Sequence, residues 1–154
     1  MIRDCSQLNW LILTKRPERI AANLPADWGD GYPNVWLGVT VGCQESFDRL
    51  DELAQIPARC RFISAEPLLA RLDLSDYLKD ISWVITGCEQ AARGTRRLMD
   101  LDWVRDIDSQ CRKAGIPHFF KQYYEVKNGK EFGRPCKDGV LDGRVRQSFP
   151  AQVP

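Results

Sequence analysis

The stretch FISAEPLL, residues 62–69, decides how the fold of this chain is to be interpreted. It begins like a buried strand, reaches a carboxylate at Glu66 and becomes apolar again after Pro67. Parallel α/β folds place their ligand sites beyond the carboxyl ends of the strands, where polar residues are usual site residues. We therefore interpret the stretch as a strand whose end delivers Glu66 to a cleft instead of the core.

Length and composition limit the classes of protein to which the chain can belong. Its 154 residues, 44% hydrophobic and 28% charged, suit one globular domain with a real core and exclude a disordered chain. The net charge of +1 favours neither a nucleic-acid binder nor an acidic protein. No apolar run approaches the roughly 18 residues of a membrane span, and MIRDCSQLNW lacks a signal-peptide pattern. The sequence predicts a cytoplasmic protein without a membrane partner.

The cysteines and the single histidine offer little metal-binding chemistry. The six cysteines contain no CxxC pair, so we expect reduced thiols and no metal site. His118 opens an apolar strand, where we favour a hydrogen-bonded structural imidazole. The cysteines are Cys5, Cys43, Cys60, Cys88, Cys111 and Cys136.

Apolar segments alternate with helical segments along most of the chain. A proline suited to a first helical turn opens the helical stretch at Pro17. The clearest helix is 101–115, with Asp100 as its N-cap and Gly115 as its stop. Further helical segments are expected at 45–56 and around 74–78. The five predicted strands are 8–16, 35–42, 60–67, 81–89 and 117–124.

The fold class follows from the character of these strands. They are too apolar on both faces for an antiparallel sheet, which indicates parallel βα units and an α/β fold. Residues 1–124 are predicted to form five such units, either as a partial TIM-type barrel or as a reordered open sheet. Residues 125–154 are rich in Gly, Lys and Asp, and they should form a hairpin or loop extension of the same domain. Turn dipeptides lie at 128–129, 138–139 and 142–143.

Polar residues at the predicted strand ends define a candidate ligand site. Lys15, Arg16 and Lys121 could hold anionic groups, or pair with Glu66 and Glu89 as ordinary solvated loop residues. The chain shows no nucleophile elbow or P-loop and no strand-end histidine, so no catalytic residue is assigned. The candidate ligand-binding residues are Thr14, Lys15, Arg16, Thr40, Gln44, Ser64, Glu66, Glu89, Lys121 and Gln122.

A cluster of arginines follows the fourth predicted strand. Arg93, Arg96 and Arg97, together with the cations after the first strand, could contact phosphates. A charge cluster is more often a solvated face, so nucleic acid is not the expected partner.

A family resemblance is visible at the same residues. LILTKRPERI, PADWGDGYPNVWLGVTV, RFISAEPLL, DWVRDIDSQCRKAGIPHFFKQ and VLDGRVRQSFP, spanning about 8–150, resemble the C-terminal part of a phage-encoded family of unknown function. Full-length members of that family are similar to radical S-adenosylmethionine barrels. The resemblance implies a (β/α) barrel whose N-terminal, cysteine-bearing part is absent here. The matching strand-end residues are Thr14, Lys15, Arg16, Pro17, Ser64, Glu66, Pro67, Lys121 and Gln122.

The fourth loop departs from that family pattern. Relatives tend to read GGESG, whereas residues 87–94 read GCEQAARG, and the loss of small residues narrows access to the backbone. An iron–sulfur cluster would need three thiolates from one loop, and no three cysteines are close in sequence. We therefore expect no cofactor.

Two functions of different class are consistent with these patterns. The first is a non-catalytic phage or prophage module that binds a host or phage protein, acting against a host system. The alternative is an enzyme or enzyme remnant that binds an anionic, nucleotide-like ligand at the strand-end rim. A partial barrel also leaves strand edges open, so we expect a homodimer or a stable complex with a partner.

Overall fold

Six strands form one curled sheet with the shape of half a barrel. The structure, a computed structural model, describes residues 1–92, 94–127 and 130–151, and of residues 127 and 130–133 only the backbone. The strands are β1 (Trp10–Thr14), β2 (Val35–Thr40), β3 (Cys60–Ala65), β4 (Trp83–Gly87), β5 (His118–Lys127) and β6 (Lys130–Cys136).

The strands lie side by side in chain order. β1 to β5 are parallel, with Trp10 beside Val35 at one end of the series and Val84 beside His118 at the other. β6 returns antiparallel to β5. This order is that of a partial barrel and excludes the reordered open sheet.

The connections hold fewer helices than the sequence predicts. Two α-helices are present in the described ranges, α1 (Asp48–Ala54) after β2 and α2 (Leu101–Ala114) after β4. The segments after β1 and β3 contain only short 3-10 helices, at Pro17–Arg19, Ala21–Asn23 and Leu78–Asp80. The fold is mixed α/β, and five complete βα units are not confirmed.

Hydrogen bonds of Asn23 explain why the segment after β1 is not an α-helix. Its backbone N–H donates to Ile20 O at 2.8 Å, the spacing of a 3-10 turn. Its side-chain amide donates at 2.7 Å to Arg19 O, the carbonyl that an α-helix would use for the backbone N–H of Asn23. Pro25 follows closely and disfavours helical backbone at Leu24.

The helix α2 agrees with its sequence signals. The Asp100 side chain accepts a hydrogen bond from Asp102 N at 2.8 Å, which caps the first turn. Gly115 adopts a left-handed φ of 71° and ends the helix. The buried face holds Val104, Ile107 and Cys111.

The outer face of the sheet carries the main core. Side chains alternate between the two faces of a strand, so every second residue of β2 to β5 points towards the helices. This face is aliphatic and fully buried at most positions. Its members include Val35, Leu37 and Val39 of β2, Ile63 and Ala65 of β3, Val84 of β4 and Phe120 of β5.

The C-terminal segment folds back onto β5. β7 (Val140–Leu141) and β8 (Arg144–Val145) form a hairpin, and Asp142 and Gly143 take the positive φ values of its two-residue turn. Phe120 N then donates to Arg146 O at 2.6 Å, and Ser148 N to His118 O at 3.0 Å. The predicted hairpin is confirmed at 142–143, whereas the predicted turn at 128–129 lies outside the described residues.

A search of the described residues for membrane-crossing segments finds no helix of sufficient length and apolar character.

Candidate functional site

The concave face of the half-barrel forms an open cavity of about 490 Å³. Strands β1, β3, β4 and β5 and the C-terminal segment contribute its walls. The floor is apolar, and the charged side chains lie towards the carboxyl ends of the strands. The lining residues are Leu11, Leu13, Phe62, Ser64, Glu66, Trp83, Ile85, Phe119, Lys121, Lys137 and Gln147.

Strand alternation explains which side chains reach the cavity. Phe62 lies beside Trp83 and Ser64 beside Ile85 in the parallel register, so each pair shares the concave face. Gly38 on β2 makes room for this arrangement, because a Cβ there would come within 2.5 Å of the Phe62 ring. The missing side chain lets Phe62 lie across the neighbouring strand.

Aromatic rings form the floor of the cavity. The Trp83 and Phe119 rings meet edge to face with centroids 5.9 Å apart, and Phe149 packs 5.1 Å from Phe119. The indole Nε1 of Trp83 donates to Ser148 O at 2.9 Å, which ties the C-terminal segment to the floor. Trp83 is almost fully buried, so Phe119 and Phe149 are the rings of this group that keep exposed apolar surface.

Glu66 stands at the carboxyl-end rim of the cavity with both oxygens engaged. Lys121 Nζ donates to Oε2 at 2.8 Å, and Gln122 Nε2 donates to Oε1 at 3.1 Å. Gln122 is fully buried and is itself held by Gln90 Nε2, which donates to its Oε1 at 2.6 Å. The strand β3 therefore leads into a carboxylate whose charge is paired with Lys121 of β5, two strands away in the sheet.

The chain that leaves β3 is fixed between its two neighbouring strands. Leu68 N donates to Gly87 O at 2.9 Å, and Leu69 N donates to Gly42 O at 2.8 Å. A Cβ on Gly42 would lie 2.1 Å from Pro67 O, so this close approach requires glycine. The Glu66–Pro67 peptide bond is cis. These contacts hold the backbone of Glu66 in place.

Glu89, another predicted site residue, is occupied by Arg97. The Arg97 guanidinium binds its carboxylate, and Arg97 N donates to Oε2 at 2.8 Å. The hydrogen bonds from the Arg97 side chain and then from its backbone lower the pKa of Glu89 to about 2. This ion pair stabilises the loop after β4. Each of the two charges is neutralised by the other.

The other arginines of that loop have different surroundings. The Arg96 guanidinium lies 4.1 Å from the centre of the Tyr124 ring, and its Nε donates to Ala91 O at 2.6 Å. Arg93 lies outside the described residues. Two of the three arginines predicted to contact anions, Arg96 and Arg97, are thus engaged in contacts that shape this region of the chain.

The remaining predicted residues are dispersed. Thr14 Oγ1 accepts from Arg16 N at 2.9 Å, and both Lys15 and Arg16 are exposed beyond β1. Thr40 is buried, and Gln44 lies at a separate depression of about 400 Å³ on the side of α2. The structure joins Ser64, Glu66, Lys121 and Gln122 in one place.

Sequence patterns missed several residues of this cavity. Lys137 and Gln147 reach it only because the C-terminal segment folds back over β5. Trp83 and Phe119 lie inside predicted strands and were not among the predicted site residues. The turn dipeptide at 138–139 was the one available signal that the chain reverses here.

A buried polar network lies on the outer face. His118 Nε2 is 2.9 Å from Thr86 Oγ1, and His118 Nδ1 is 3.1 Å from Asp108 Oδ1. Burial by itself raises the pKa of Asp108, but the contact with His118 and the charges of Arg146 and Arg112 lower it below its usual value. All three residues are buried, and His118 is hydrogen-bonded at both ring nitrogens, as expected for a satisfied imidazole.

None of the six cysteines forms a disulfide bond. Across residues 1–92, 94–127 and 130–151, no cluster of three or more His, Cys, Asp or Glu side chains is arranged to hold a metal ion.

Comparison with known proteins gives one match. Residues 1–150 match the family described as "Protein of unknown function (DUF5131)". No curated protein and no solved structure matches the chain.

Proposed function

Because the chain belongs to the DUF5131 family of unknown function, we propose from its geometry that it binds a small anionic ligand with a flat ring in the concave cavity. The observation that carries this proposal is the pairing of an aromatic floor with a charged rim. A volume of about 490 Å³ lies within the common range of ligand pockets.

The charges of the cavity favour an anion. Lys121 and Lys137 line it against one carboxylate, that of Glu66, which leaves an excess of one positive charge. Lys121 is bound to Glu66, so Lys137 is the cation more available to a phosphate or carboxylate group. Glu66, in turn, can accept hydrogen bonds from hydroxyl or amino groups of the ligand.

The apolar floor favours a planar ring. Phe62 and Trp83 are only 2% and 3% exposed and lie beneath the floor, so the half-buried Phe119 and the exposed Phe149 are the rings on which a nucleobase can stack. A nucleotide has both parts, a ring for the floor and a phosphate for the rim. This proposal includes binding and no reaction, since the cavity lacks an assigned nucleophile or base.

Titration calorimetry with a purine nucleoside monophosphate and with the same nucleoside lacking phosphate tests the proposal. We expect the monophosphate to bind at least tenfold more tightly, and Lys137→Ala to remove roughly that advantage, because a charged hydrogen bond contributes about 1.5–3 kcal/mol. Lys79→Ala, an exposed lysine outside the cavity lining, is the matched control. No binding by either compound, or equal losses in both variants, would reject the site.

A second candidate is the non-catalytic protein-binding role, and the exposed apolar edge at β1 favours it. A phage origin, a host target and a likeness to radical S-adenosylmethionine barrels stay predictions from the sequence.

A further inference from the structure

The strand β1 forms one edge of the sheet and exposes apolar side chains on both of its faces. The exposed fractions are 47% for Leu11, 40% for Ile12 and 49% for Leu13. An edge strand also presents unpaired backbone groups that can pair with another strand. The edge of β1 therefore offers another strand both exposed apolar side chains and backbone groups that can form hydrogen bonds.

The direction of the free backbone groups follows from one hydrogen bond. Trp10 N donates to Asn34 O at 2.7 Å, so the backbone groups of Trp10 face β2. Successive residues of a strand alternate in direction, and Ile12 and Thr14 therefore also face β2. The N–H and C=O groups of Leu11 and Leu13 point away from the sheet.

The strand at the opposite edge has a different composition. β6 reads KEFGRPC and contains charged residues and a proline, which are features that discourage pairing at a sheet edge. β1 reads WLILT and contains neither. Of the two edges, β1 is the one whose sequence permits another strand to join.

We propose that β1 pairs antiparallel with β1 of a second copy of this chain, around a two-fold axis at Ile12. In this register Leu11 lies opposite the partner's Leu13, and the outward groups of these residues form four hydrogen bonds. The sequence WLILT is nearly symmetric about Ile12, so apolar residues meet apolar residues.

Charge is compatible with the same register. Lys15 lies opposite the partner's Asn9, and Arg16 lies opposite the partner's Leu8. The cations that follow β1 therefore do not face one another, and repulsion does not oppose the pairing.

The pairing also changes the cavity. Directly opposed residues of an antiparallel pair share one face, so the partner's Leu11 and Leu13 continue the concave wall beyond β1. The two half-barrels form one sheet of twelve strands with a continuous apolar trough. This inference concerns assembly and does not depend on the proposed ligand.

Sedimentation equilibrium over micromolar concentrations tests the dimer and its register. We expect twice the chain mass for the native protein, and a dissociation constant raised at least tenfold in the double variant Leu11→Lys/Leu13→Lys, because like charges then meet. In Leu11→Lys/Leu13→Glu each introduced lysine faces an introduced glutamate of the partner, so this variant should remain dimeric. Val145→Lys, at another exposed apolar residue, is the matched control and should also remain dimeric.

Several outcomes would overturn the proposal. A native monomer over the whole concentration range, or a dimer that tolerates two lysines, excludes pairing at β1. Equal weakening of the lysine/lysine and lysine/glutamate variants excludes the register. Circular dichroism checks that each variant is folded. If the lysine/lysine variant unfolds, Leu13→Pro replaces it, because proline at this position removes only an outward-facing N–H. A Leu13→Pro variant that is folded and dimeric also excludes the pairing.

Discussion

The two faces of the sheet are built from different kinds of side chain. The outer face is aliphatic, almost fully buried and covered by α1, α2 and the loops, and it contains the Asp108–His118 network. The concave face is aromatic, is open at the β1 side and bears the Glu66–Lys121 pair at its rim. The outer face thus carries the larger buried cluster, and we expect it to contribute more to stability than the smaller aromatic cluster of the concave face.

The largest expected difference in the free energy of unfolding is between a Phe→Ala substitution on the outer face and the same substitution on the concave face. Phe120 is fully buried on the outer face, whereas Phe149 packs on the concave side and is 62% exposed. We expect Phe120→Ala to lower the free energy of unfolding by about 3–5 kcal/mol, because it leaves a cavity in the core. We expect Phe149→Ala to lower it by about 0.5–1.5 kcal/mol, the contribution of an aromatic pair.

Denaturant unfolding of the two variants measures both values. Similar losses in both would mean that the concave face supports the fold as much as the outer face does, and the contrast would be wrong.

A smaller effect is expected at the rim of the concave face. Glu66→Gln keeps an oxygen that Gln122 can donate to and removes the charge that binds Lys121, whose side chain is 48% exposed. The Glu66 side chain is 18% exposed, but the lysine end of the pair is open to solvent, so we expect the free energy of unfolding to change by no more than about 1 kcal/mol. Chemical unfolding at neutral pH checks this value, with Glu45→Gln as an exposed control.

A loss of about 3–5 kcal/mol in Glu66→Gln would instead show a buried ion pair. The rim would then be part of the structural framework, and its availability to a ligand would be doubtful.

The smallest effect on folding is expected at Glu89, which belongs to neither packed face. Its folded-state pKa of about 2 lies below the ordinary value of 4.5, so the contribution of this pair is present above pH 4.5 and is lost as the pH falls towards 2. Arg97→Gln should raise the pKa of Glu89 towards 4.5. Carboxyl-carbon NMR titration measures that pKa directly, and a value unchanged by the substitution would exclude Arg97 as its cause.

Local signals determined which parts of the fold could be predicted from the sequence. The helix α2 was predictable because Asp100 and Gly115 mark its ends and its apolar residues recur at helical spacing. The strands were visible as apolar runs. The segment after β1 was mispredicted, because the side chain of Asn23 takes a backbone acceptor and shifts the chain into 3-10 turns.

The site was predictable only where strands end. Ser64, Glu66, Lys121 and Gln122 meet because parallel strands finish at one rim. Lys137 and Gln147 belong to the C-terminal segment, and they reach the cavity only because this segment folds back onto β5. Sequence periodicity describes neighbours along one strand, and it does not report which later segment returns to cover it.

The sequential strand order has a consequence for how the protein folds. Trp10 pairs with Val35, Trp36 with Cys60 and Val84 with His118, so each of these strands lies beside the one that precedes it in the chain. No strand has to be inserted between two others that are already paired, and every step closes a loop of moderate length. The sheet can therefore grow in one direction, from β1 to β5, while the chain emerges from the ribosome, and the C-terminal segment is added to β5 last.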